Sequence, residues 1–121
     1  MKSKQDPESF LPLRPACFYV LAVVAEGDKH GYGIMQDIER KTEGKVSLGP
    51  GTLYRTIKQL LEWGLLKEAS RRPTAELDDE RRRYYRVTGL GRCTLAAEVE
   101  RLADLVRLGR GSGLMEDTTT T

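Results

Sequence analysis

The hydrophobic period of the chain changes at Gly64, and few folds accommodate that change at that place. Before it, apolar residues recur at helical spacing in three segments separated by glycines. After it, two short stretches alternate with a period of two, and then the helical spacing returns. The segment from about Pro12 to Glu26 is almost wholly apolar (Ala16, Phe18, Tyr19, Val20, Leu21, Val23, Val24), which predicts a helix buried against more than one neighbour. Gly27 ends it, and Asp28 is placed to cap the second helix. His30–Glu43 sets Tyr32, Ile34, Met35 and Ile38 on one side and Gln36, Asp37, Glu39, Arg40 and Lys41 on the other, until Gly44 stops the helix. Lys45–Leu48 is short and extended. Gly49-Pro50-Gly51-Thr52 then reads as a helix start, with Pro50 where a missing N–H costs nothing, and this third helix runs to Trp63. Leu65–Ser70 and Arg82–Thr88 read as two strands around a charged insert, Arg71–Glu80, that contains Pro73. Thr88 caps a last helix that runs to about Leu108, where Gly109, Gly111 and Gly113 stop it.

Net charge is only +2 over 121 residues, but it is unevenly spread. Residues 45–64 and 65–87 each carry a net +2, while residues 1–44 and 88–121 each carry −1. The excess therefore falls on the third helix and the hairpin, where an anionic partner would bind. Projected at about 100° per residue, Leu53, Ile57, Leu60 and Leu61 form the buried stripe of that helix. The opposite face carries Gly51, Thr52, Arg55, Lys58, Gln59 and Glu62, with Tyr54 on its shoulder. Arg, Gln and Thr are side chains that read base edges in a major groove, and two glycines in the first turn leave room for a phosphate. A short amphipathic helix, a tight connection and a second helix with a polar outer face is the helix-turn-helix arrangement. On the hairpin, Arg81, Arg82, Arg83 and Arg86 outnumber what Asp78, Asp79 and Glu80 can neutralise, so some are expected to reach phosphates. Alternation turns Val87 and Tyr85 inward.

In the last helix, Leu95, Val99, Leu102 and Val106 are spaced 4, 3 and 4 apart, and Ala96, Ala103 and Leu105 widen the seam. On so small a domain this stripe predicts a homodimer, with two recognition helices about 34 Å apart on a palindromic site. The helix offers no aromatic and no charge that looks buried, so nothing marks a pocket for a flat aromatic effector; with so little chain after the hairpin, any effector is expected at the dimer interface.

Other chemistries lack their residues. His30 is the only histidine, with no Ser, Cys or paired carboxylates in a catalytic spacing, so no enzyme is expected. Cys17 and Cys93 form no CxxC pair, which predicts reduced thiols, no metal and no cofactor. No apolar run approaches the roughly 18 residues of a membrane span. Ala16–Ala25 lacks the flanks of a signal peptide, and a cytoplasmic protein is expected.

HGYGIMQDIE (30–39), LGPGTLYRTIKQLLEWGLL (48–66) and RRRYYRVTGLGR (81–92) resemble, in order and spacing, the signature segments of PadR-type transcriptional regulators. The resemblance covers about Pro12 to Leu108. It implies a mainly α (α+β) fold: a winged helix-turn-helix with a two-stranded wing and a C-terminal dimerisation helix. It also implies repression by binding a double-stranded DNA operator, relieved by a small molecule or another signal. The expected boundaries are a disordered tail over 1–11, the DNA-binding domain over 12–88, the dimerisation helix over 89–108 and a disordered tail over 109–121. The expected DNA contacts are Gly51, Thr52, Tyr54, Arg55, Lys58, Gln59, Arg81, Arg82 and Arg83, and the expected dimer contacts are Leu95, Val99, Leu102, Leu105 and Val106. Departures are Gly49 where many members have Ser, Arg55 where Pro is common, Gly89 where an acidic residue is frequent, and a longer, more acidic wing loop. The alternative is a winged-helix dimer that binds protein instead of DNA. Its third helix would carry an apolar or acidic outer face, and Arg55, Lys58 and Gln59 argue against it.

Overall fold

Pro15 opens the first helix, α1 (Pro15–Val24), in the first turn, where its missing N–H has no partner to lose. The computed structural model describes residues 6–69 and 83–113, so the expected tails beyond those limits and most of the wing loop lie outside the described residues. As its apolar run requires, α1 is central. Cys17, Val20, Leu21, Val23 and Val24 are buried, and Phe18 and Tyr19 pack against the same core. The helix contacts α2 (Gly31–Lys41), α3 (Pro50–Glu62) and α4 (Gly89–Gly111) in turn.

Two expectations for the second helix are corrected. Its cap is His30, whose Nδ1 accepts the Gly33 N–H at 3.1 Å. Asp28 instead takes Arg86 in a two-point pair at 3.0 and 2.8 Å, a partner 58 positions away. Tyr32 is 58% exposed and does not share the face of Ile34 and Ile38, which are buried. The reason is angular: a residue two positions before Ile34 lies about 200° round the helix from it.

The sheet has three antiparallel strands where the alternation shows two. Lys29–His30 (β1) pairs with Tyr84–Val87 (β3), which pairs in turn with Leu66–Glu68 (β2), in the order β1-β3-β2. Leu66 faces Val87 across the ladder, and both are buried with Tyr85, as alternation predicts. Thr88 is the cap of α4. Its hydroxyl accepts the Gly91 N–H at 2.9 Å and donates to the Gly64 carbonyl at 2.6 Å. The helix runs past the expected stop, through Gly109 and Gly111, because a glycine weakens a helix without ending it. The left-handed turn comes at Gly113, with φ +89°.

The 23 residues of α4 span about 35 Å. Its buried face is Gly91, Thr94 and Glu98, all in the first half. The expectation that this helix holds no buried charge is therefore corrected: Glu98 is 2% exposed. Order also extends further toward the N-terminus than the expected boundary at residue 11. Asp6 caps a 3-10 turn, Pro7–Phe10, which lies on α4, and Leu13 enters the core behind it.

Candidate nucleic-acid interface

The third helix keeps the register its period predicts. Leu53, Ile57 and Leu60 are buried with Thr56, while Gly51, Thr52, Arg55 and Lys58 are exposed and Gln59 is partly so. Gly49 caps it through backbone conformation alone, with no side-chain hydrogen bond to the first-turn N–H groups. Tyr54 is 37% exposed, and its phenol lies against the start of α2: a Cβ on Gly31 would sit 2.3 Å from the Tyr54 hydroxyl. Glycine at 31 thus lets the two helices of the helix-turn-helix close on each other, and Tyr54 works as much in that joint as on the outer face.

Ion pairs set this face apart from α2. On α2 and the sheet, Lys29 and Arg40 share Asp37, while Lys41 pairs with Glu26, Arg83 with Glu68 and Arg86 with Asp28. Burial raises the Asp37 carboxyl, but the hydrogen bonds from Lys29 and Arg40 outweigh it and hold the group below the usual carboxylate range. Arg55 and Lys58 take part in no ion pair among the described residues, nor does Lys45 in the connection that leads into α3. Lys45 counts toward the basic charge of this segment but has no helical position, so the face projection passes over it. Of the hairpin arginines, Arg81 and Arg82 lie outside the described residues. Arg83 bonds Glu68 at 2.9 Å across the hairpin, and both side chains are about half exposed, a geometry that stabilises little in water. Among the described residues, Arg83 meets Glu68 and Arg86 meets Asp28.

A second surface lies on the far half of α4. Val99, Leu102, Leu105, Val106 and Leu108 are exposed, from 36% at Leu102 to 73% at Leu108. Leu95 behaves differently from the rest of the seam, because it packs against the chain's own core. Beside this strip, Arg101 donates two hydrogen bonds to Glu98 at 2.7 and 2.9 Å, and the Leu13 N–H donates a third at 3.0 Å. The Arg101 bonds, opposed by burial and helped by Leu13, hold the Glu98 carboxyl below its ordinary range. A carboxylate depressed in the folded state contributes stability that is present above its unfolded pKa and is lost as pH falls through the folded one. Acid titration of wild type and Glu98→Gln is therefore expected to show wild type losing stability below about pH 4.5, with a shallower loss in the variant. Parallel curves would show that Glu98 is not a source of the acid sensitivity.

Among the described residues no group of His, Cys, Asp and Glu is placed to hold a metal, and no helix is long and apolar enough to cross a membrane. Cys17 is buried and Cys93 exposed, both as free thiols. Burial pushes the Cys17 thiol up, only partly offset by Arg14.

Three helices around an apolar core, the second and third joined as a helix-turn-helix, with a β-hairpin wing and a long final helix, define a winged helix-turn-helix protein. Within that class the chain belongs to the PadR-like family of transcriptional regulators, whose profile matches residues 20–97. It is 33% identical over 89 residues to a transcriptional regulator of Mycobacterium tuberculosis, covering 74% of this chain and 77% of that one. It is also similar to the structure of a transcriptional regulator from Clostridium thermocellum, with a TM-score of 0.67 and 25% identity over 79% of this chain and 87% of that one. Bacillus subtilis PadR in complex with operator DNA shares the fold, with a TM-score of 0.61 and 18% identity over 73% of this chain and 48% of that one.

Proposed function

We propose that this regulator binds a palindromic DNA operator as a homodimer and represses the gene behind it until an effector releases it. The observation that carries this reading is the pattern of unpaired charge. Arg55 and Lys58 stand on the outer face of α3 beside Thr52 and Gln59, without acid partners among the described residues, while cations on α2 are paired. That face supplies donors for guanine and adenine edges and cations for phosphates, with Lys45 as a further phosphate contact ahead of it. Arg81 and Arg82 on the wing, and Arg83 once it leaves Glu68, extend the grip to the adjacent phosphates. The operator complex of the Bacillus subtilis relative supports DNA as the partner. The exposed strip from Val99 to Leu108 supports a second copy as the partner of α4, since a monomer seldom leaves so continuous an apolar surface in water. An effector would act at that same interface, by changing how the two copies meet.

The test is a titration of the protein against the DNA upstream of its own gene at several salt concentrations, with an Arg55→Ala, Lys58→Ala double variant alongside. Wild type is expected to bind this fragment over a scrambled one with a steep salt dependence. The double variant should bind roughly 10- to 100-fold more weakly, with a slope reduced by about 2 for each copy of the chain. Equal and weak binding to both fragments, indifferent to the substitutions, would rule the reading out and favour a protein-binding module.

A further inference from the structure

We propose that residues 6–13 form a brace that sets the angle between α3 and α4, with Phe10, Trp63, Leu13 and Glu98 as positioning residues for the spacing of the two half-sites. The inference rests on the dimeric DNA-binding reading and concerns what makes that binding geometrically selective.

The two helices that matter most to that reading pack mainly on other elements. α3 lies on α1, α2 and β2, and α4 lies on α1, β3 and the N-terminal turn. Their relation therefore depends on what bridges them. α1 is one bridge, packed on both helices through apolar side chains. The first turn of α4 is also pinned just beyond α3, where Thr88 bonds the Gly64 and Leu65 carbonyls. The segment from Asp6 to Leu13 ties a point further along α4, at Glu98, back to the end of α3. At one end the Phe10 ring lies 5.5 Å from the Trp63 ring at 45°, and Trp63 is the residue that closes α3. At the other end the Leu13 N–H bonds the Glu98 carboxylate, which Arg101 holds from its own helix. A carboxylate is costly to bury and is tolerated only where its hydrogen bonds are made. Here one of those bonds comes from a backbone 85 positions away, so the burial of Glu98 depends on the brace being seated.

The geometry makes such a contact consequential. α3 is 13 residues long, about 20 Å, so a tilt of about 10° at the Trp63 end moves its first turn by roughly 3 Å. That is close to the rise of one base pair, about 3.4 Å along a strand. Two-fold symmetry applies the error to both copies. Loss of the brace should therefore leave each copy able to read its half-site while blurring the distance between half-sites.

The experiment is a selection from a random-sequence duplex library by wild type, Phe10→Ala, Phe10→Tyr and Glu98→Ala, followed by affinity measurements on the selected full site and on one isolated half-site. Wild type should enrich a palindrome with one spacing. Phe10→Ala and Glu98→Ala should enrich the same half-site at spacings spread by at least one base pair, and bind the wild-type full site about tenfold more weakly. Binding to the isolated half-site, the dimer mass and the far-UV circular dichroism should stay as in wild type. Phe10→Tyr keeps an aromatic ring on Trp63 and should restore the single spacing. If Phe10→Ala does not fold, Phe10→Leu takes its place with the same expectation. An unchanged spacing distribution in both disrupting variants overturns the brace, as does an equal loss of affinity for full and half sites, which is what general destabilisation would give. Failure of wild type to enrich any palindrome is a separate outcome that overturns the DNA-binding reading and the brace with it.

Discussion

Leu102→Glu is expected to run as a monomer in light scattering, with its helical content intact and its affinity for specific DNA reduced by about a hundredfold or more. Leu102 lies in the middle of the apolar strip on the far half of α4, between Val99 and Val106 and one turn from Leu105. The fully buried residues of that helix end at Glu98, and Leu102 is 36% exposed, so the substitution falls at the edge of the internal packing. In a two-fold dimer the new carboxylate would be desolvated against an apolar partner, near its own symmetry copy, at a cost of several kcal/mol. Dissociation then loses the gain that comes from holding two recognition helices on one DNA molecule. An unchanged mass would show that the strip serves another purpose.

Gly91→Ala is expected to cost about 2–4 kcal/mol and to lower the melting temperature by roughly 10 °C or more. A Cβ at this position would lie 2.2 Å from the Leu65 carbonyl oxygen and 2.8 Å from Val87 Cγ1. The obstacle is backbone, so no rotamer change relieves it. The Leu65 carbonyl is also held in place, since it accepts the Thr88 N–H at 3.1 Å while the Thr88 hydroxyl ties down Gly64. Accommodating one methyl would mean lifting α4 from the root of the wing. Thermal unfolding followed by circular dichroism measures the effect directly. A midpoint within about 2 °C of wild type would mean that this junction yields more readily than its contacts imply.

These two positions do not stand out equally in the sequence, and the difference shows what kind of information local pattern carries. Leu102 belongs to a repeating seam, and its period alone marks it. So do Leu53, Ile57 and Leu60 on the buried side of α3, Thr52, Arg55 and Lys58 on the outer side, and Tyr85 with Val87 in the hairpin. Thr88 is legible because a cap is a local motif. Gly91 reads as one more glycine near a helix start, because the carbonyl it accommodates comes from Leu65, 26 positions earlier. β1 is two residues long, too short for any alternation, and exists only because β3 is there to pair with it. Glu98 looks like a surface residue of a charged helix until the Leu13 backbone closes over it. Asp28 sits where a cap is needed, yet a two-point bond to Arg86 outcompetes that local role. Tyr32 is a different case. Its angular position is fixed by the sequence, and grouping it by apolar character alone places it on the wrong face. The basic outer face of α3 is thus readable residue by residue, but which cations are left unpaired is not, since the acids that meet Lys41, Arg83 and Arg86 come from distant segments.

A dimer that reads two equivalent half-sites with α3 should leave a distinctive hydroxyl-radical footprint on the DNA upstream of the protein's own gene. Two protected patches of the same sequence are expected on opposite strands, their centres about one helical turn, 10–10.5 base pairs, apart. Both should be lost together in Leu102→Glu and both weakened in Arg55→Ala, Lys58→Ala. A single patch, or uniform protection that those variants leave unchanged, would contradict a two-fold dimer on a palindromic operator.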